Sequence, residues 1–102
     1  MTDDQEFNAA HEGLTRLLDD VCAGRTVPAG ARGRTYAVLD ALRGSGAPSI
    51  RIRAAERIAL TLHRLEWARL RRNDEEEESL WRQLDELTAE WTQRAHRETL
   101  AL

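Results

Sequence analysis

Apolar residues in the first quarter of the chain keep to one helical face. Phe7, Ala10, His11, Leu14, Leu17, Leu18 and Val21 recur at steps of three and four, the spacing that stacks side chains along one side of an α-helix. The pattern predicts a helix over 3–22. Thr2 with Gln5 reads as a capping box, and Asp3 and Asp4 suit the positive end of the helix dipole. Gly24 is suited to the left-handed residue that ends a helix. Residues 23–31 are read as a linker, because Pro28 and Gly30 interrupt any helix crossing them. A short helix is predicted over 32–43, with Val38, Leu39 and Leu42 on its apolar side and Tyr36 nearby. Gly44-Ser-Gly-Ala-Pro48 is a strong loop signal.

The second half reads as a helical hairpin over 49–100. Ser49 is a fair N-cap. Ile50-Arg-Ile52-Arg alternates like a strand but is too short to build a sheet. The first arm has two apolar sides. Ala54, Ala55, Ile58, Leu62 and Leu65 form one, and Ala59, Leu60, Trp67 and Leu70 form the other. A helix apolar on both sides is expected to be covered on both. Residues 71–79 contain no apolar side chain. Arg71 and Arg72 fit a helix end, and Asp74 with the run Glu75–Glu78 fits a helix start, so a turn is placed near Asn73. The second arm, over about 75–99, carries Leu80, Leu84, Leu87, Trp91 and Ala95. A single uninterrupted helix over 50–99 is the competing reading, well beyond the usual length of a globular helix.

These elements predict an all-α fold of three to four helices with a long C-terminal hairpin, in one domain spanning 1–102. With 32% of residues charged, long solvated helix faces or a core completed by self-association are expected. No apolar stretch reaches membrane-spanning length. The acidic start lacks the apolar core of a secretion signal. Cys22 is the single cysteine, which excludes an internal disulfide and suits a reducing cytoplasm.

Charge changes the picture. All 15 basic residues other than histidine are arginines, a bias that GC-rich codon usage in a bacterial or phage genome explains. They concentrate in the middle: the balance is −5 over 1–23, +3 over 24–48, +5 over 49–72 and −6 over 73–102. The basic middle is expected to meet either the acidic ends or an external anion. For the second case Arg32, Arg34, Arg43, Arg51, Arg53 and Arg57 are the DNA-contact candidates, with Arg64, Arg69, Arg71 and Arg72 able to extend the same surface, since each neutralised phosphate releases counterions. The short helix, Gly-rich loop and following helix have the outline of a helix-turn-helix, but the loop is too long for one.

Catalytic and metal chemistry find little footing. His63 and Glu66 are a lone pair at three residues' spacing, whereas carboxylate-bridged bundles need two such pairs plus two further glutamates. Cys22 sits at a helix C-terminus, where the dipole disfavours a thiolate. A phosphate-binding loop of the Walker type needs a lysine, and the chain has none. The expectation is a non-enzyme with no cofactor and no metal.

Leu60, Trp67, Leu70 and Trp81 lie off the main stripes and are the candidate oligomer interface. The arms Arg53-Ala-Ala-Glu-Arg-Ile-Ala-Leu-Thr-Leu-His-Arg-Leu-Glu-Trp67 and Leu80-Trp-Arg-Gln-Leu-Asp-Glu-Leu-Thr-Ala-Glu-Trp91 resemble the helical-hairpin oligomerisation region of phage-type small terminase subunits. That resemblance covers about half the chain and implies a ring-forming, non-catalytic subunit that brings viral DNA to a packaging motor. The chain departs from the family in lacking a clear N-terminal helix-turn-helix, so sequence-specific recognition is not implied. The expected function is a self-assembling cytoplasmic adaptor with weak, non-specific DNA contact. An inhibitor or antitoxin-like module that binds a protein partner through its acidic surface is the alternative.

Overall fold

In the computed structural model, backbone is described for residues 2–28, 30–47 and 49–101, and side chains for 8–28, 30–47 and 49–93. The described residues form four helices and no strand: α1 (Thr2–Gly24), α2 (Ala31–Gly44), α3 (Ser49–Leu70) and α4 (Asp74–Ala101). Each helix packs on the next and α4 returns to α1, so the chain closes into an antiparallel four-helix bundle. Its extents are 46 × 24 × 22 Å. The long axis follows from α4, whose 28 residues span about 42 Å at ~1.5 Å per residue.

The core lies along the bundle axis. Leu14, Leu17, Leu18 and Val21 of α1, Leu39 and Leu42 of α2, Ile58, Leu62 and Leu65 of α3, and Leu80, Leu84 and Trp91 of α4 are buried. The stripes expected for α1 and α4 are those that face inward. The Thr2–Gln5 capping box, Phe7 and Ala95 lie outside the described side chains. Val38 packs at the core edge, while Tyr36 is exposed.

Chain reversals are built by local hydrogen bonds. Gly30, at φ 85°, precedes α2 and accepts from the Arg34 amide at 3.0 Å. After α2, the Ala47 amide donates to the Leu42 carbonyl at 3.0 Å and the Gly46 amide to the Arg43 carbonyl at 3.3 Å, with Gly46 at φ 72°. This is the paired closure that a left-handed residue permits. The same closure ends α3: the Asn73 amide donates to the Ala68 carbonyl at 2.9 Å, and the Arg72 amide to the Arg69 carbonyl at 3.1 Å. Here the left-handed residue is Arg72, at φ 54°. Asn73 then caps α4 by accepting from the Glu76 amide at 3.2 Å, while its own amide group donates to the Glu76 carboxylate. The turn at 71–73 excludes the uninterrupted helix over 50–99 and places the acidic run in the first turn of α4.

One expectation is corrected in α3. Its second apolar side is not sheathed by the other described residues. Ala59 turns inward with Ala55 and Ala68, whereas Leu60, Trp67 and Leu70 face outward. In a ring of four helices each rod has two neighbours and one outward side, so α2 and α4 cover the inner half of α3 and no described residue sheathes the outer half.

Candidate functional site

The outward side of α3 carries a regular stripe. Arg53, Arg57, Leu60, Arg64 and Trp67 recur at steps of four, three, four and three, and Arg71 continues it just past the helix end. Steps that alternate this way keep side chains on one line of a helix. Leu60 is 48% exposed and Trp67 52%; Leu70, at the end of the helix beside the stripe, is 78% exposed. Arg53, Arg57 and Arg64 are exposed and make no ion pair among the described residues. Arg71 does, reaching Glu76 at 3.1 Å across the hairpin turn.

Leu60 is a crest between depressions. On the α4 side a groove of about 480 Å³ runs past Arg53, Arg57, Leu87 and Glu90. It continues into one of about 350 Å³ past Arg57, Arg64, Gln83 and Glu86. On the α2 side a smaller depression of about 190 Å³ is lined by Tyr36, Arg43, Glu56 and His63. A line of Ser79, Gln83, Glu86 and Glu90 on α4, at steps of four, three and four, thus runs beside the arginine stripe. This second line is legible from its spacing, but the helix-start argument reaches only Asp74 and Glu75–Glu78 and does not single out Glu86 or Glu90.

Of the six candidate DNA-contacting arginines, Arg53 and Arg57 lie on this open face. Arg34 is exposed on α2 and makes no ion pair among the described residues. Arg43 is engaged, at 2.9 Å from Glu56 and 3.8 Å from Asp40. Arg32 approaches His63 Nδ1 at 2.8 Å, while Trp67 Nε1 donates to His63 Nε2 at 3.1 Å. A neutral imidazole has one acceptor nitrogen, so these two contacts alternate and do not coexist.

Arg51 requires correction. It is 0% exposed, with its guanidinium carbon 5.1 Å from the centre of the Trp91 ring. His11 stacks on that same ring at 4.7 Å and 13°, and Trp91 Nε1 donates to Thr15 Oγ1 at 3.1 Å. Arg51 therefore ties α3 to α4 inside the bundle and cannot meet a surface ligand. The signal was present in the sequence: Arg51 extends the buried line of Ala55, Ile58, Leu62 and Leu65 by one turn. A long stem with a charged head over an aromatic face makes such burial tenable.

Trp81 also separates from the other interface candidates. It is half-buried at the seam of α1 and α4, with Arg25 stacked 5.4 Å from its ring centre. Arg25 in turn holds Asp85 through two parallel hydrogen bonds of 3.1 Å. The basic middle thus meets the acidic end at this fork, as it does at Arg71–Glu76, but most of its exposed arginines make no such pair among the described residues. Nearby, Cys22 lies with Sγ 3.8 Å from Thr88 Oγ1. Desolvation raises the thiol above its ordinary value, against the opposing effect of the Thr88 hydrogen bond.

Among the described residues no group of three or more histidine, cysteine or acidic side chains is placed to hold a metal. No described helix is long and apolar enough to cross a membrane. No protein-family model matches the chain, and no curated protein or solved structure matches it. The fold and this surface define an all-α bundle with an open face on α3, on which arginines alternate with Leu60 and Trp67.

Proposed function

We propose that the protein is a non-catalytic adaptor that self-associates through the open face of α3. One observation carries this reading: Leu60, Trp67 and Leu70 stand exposed on a helix whose opposite side is fully packed. Removing a large aliphatic or aromatic side chain from water is worth about 1.5–3 kcal/mol, so a partner surface over this face gains substantially. In its sharper form the adaptor has a role similar to that of a small terminase subunit, with Arg34 and Arg53 available for non-specific phosphate contact in a cytoplasmic setting. Such contact weakens steeply as salt rises.

Light scattering at tens of micromolar tests the reading, with a multimer expected. The double variant Trp67→Ser/Leu70→Ser is expected to be monomeric with its helical circular dichroism retained. A wild-type monomer, or global unfolding of the variant, contradicts self-association through this face. A second reading, capture of a protein partner by the acidic surface, is favoured by the groove of about 540 Å³ beside Trp81, where Asp74, Glu77, Glu78 and Asp85 gather. Arg25 already occupies the Trp81 face there, so the α3 face is preferred.

A further inference from the structure

The two charged lines on the open face have a geometric consequence. Arg57 and Arg64 on α3 and Glu86 and Glu90 on α4 line one groove, with Leu60 at its edge and Leu87 within it. Arg57, Arg64 and Glu86 form no ion pair within the chain among the described residues. A polyanion laid in this groove meets glutamates beside the arginines, and a polycation meets arginines beside the glutamates. A surface that complements both lines carries the same two lines in exchanged order.

A second copy of the chain does so under one symmetry operation. A two-fold interface sets a patch against itself. With the axis parallel to the α3–α4 hairpin, rotation lays α3 of one copy on α4 of the other at the same height. Arg57 and Arg64 then meet the partner's Glu86 and the partner's Glu90. With the axis across the hairpin, α3 lies on α3 and α4 on α4, which sets arginine against arginine and glutamate against glutamate. Like charges juxtaposed at an interface are strongly disfavoured. Resting on the self-association reading above, we propose that the chain forms a two-fold dimer whose axis runs along the hairpin. Arg57 and Arg64 of each copy pair with the other's α4 glutamates, and Leu60 seats in the facing groove.

Charge exchange tests this arrangement. Sedimentation equilibrium of the wild-type chain should give twice 11.6 kDa, with association that weakens as salt rises. Arg57→Glu/Arg64→Glu and Glu86→Arg/Glu90→Arg should each self-associate at least ~10-fold more weakly, the equivalent of about 1.4 kcal/mol. Circular dichroism and thermal melting should leave both folded, because the altered groups are exposed. Mixed in equal amounts, the two variants should form a one-to-one complex, since exchanging both signs restores every pair. A dimeric wild type that ignores these reversals and salt, or variants that fail to combine, overturns the hairpin-parallel dimer while self-association stands. A monomeric wild type overturns both. Wild-type monomer whose DNA retention is lost in Arg57→Glu/Arg64→Glu assigns the face to nucleic acid instead.

Discussion

Single residues in this chain carry burdens their neighbours do not suggest. Arg72 holds a left-handed conformation at φ 54° that costs an L-residue about 1–2 kcal/mol. It makes no ion pair among the described residues. Arg72→Gly should therefore raise stability by about 0.5–1 kcal/mol, after the extra freedom glycine adds to the unfolded chain is deducted. Urea denaturation checks this, and a loss of stability contradicts the turn geometry. Cys22 supplies the pH-dependent case. Burial raises its thiol in the folded chain, so below the ordinary thiol range both states hold the proton and stability is unaffected. As pH climbs through that range the unfolded chain ionises first, and stability falls. Alkylation of folded Cys22 should accordingly lag that of the urea-unfolded chain, most clearly in the mildly alkaline range. Equal rates in both states would contradict the burial effect.

At the scale of elements, helix existence was written in periodicity and helix ends in turn chemistry. The stripe from Leu14 to Val21 predicts α1 because three- and four-residue steps are a local property of the chain. The α3–α4 break was legible because Arg71, Arg72, Asn73 and Asp74 match the dipole ends they occupy. Asn73 supplies the α4 cap through Glu76. Asn73→Ala should cost about 1 kcal/mol, measured as a lowered melting temperature with the helical signal otherwise intact. An unchanged melting temperature would show the cap to be dispensable. What periodicity could not give was which apolar side of α3 the bundle would cover. Leu60 and Ala59 are adjacent in sequence, and only the placement of α2 and α4 sends Ala59 inward and Leu60 outward. Arg51 was misread for a related reason. A charged residue type suggested surface, whereas its position in line with Ala55 and Ile58 decided burial.

For the whole molecule, the arrangement leaves a small bundle with a closed core and an exposed apolar and arginine-lined side on α3. The segregation of charge along the chain is only partly resolved by internal pairing. Arg25 with Asp85 and Arg71 with Glu76 join basic and acidic segments, while Arg53, Arg57 and Arg64 remain directed outward. The candidate surface was thus half legible: Leu60, Trp67, Leu70, Arg53, Arg57 and Arg64 are named by the sequence, and the structure adds the neighbouring α4 line. Trp81 and Arg51 drop out because each is committed within the fold. The central claim is that this outward side of α3 is a surface for another copy of the chain. The most direct test is the molar mass of the wild-type protein in solution, followed by sedimentation across a dilution series. The account predicts a mass above one chain at high concentration that falls toward 11.6 kDa on dilution. A mass of one chain at every concentration contradicts it.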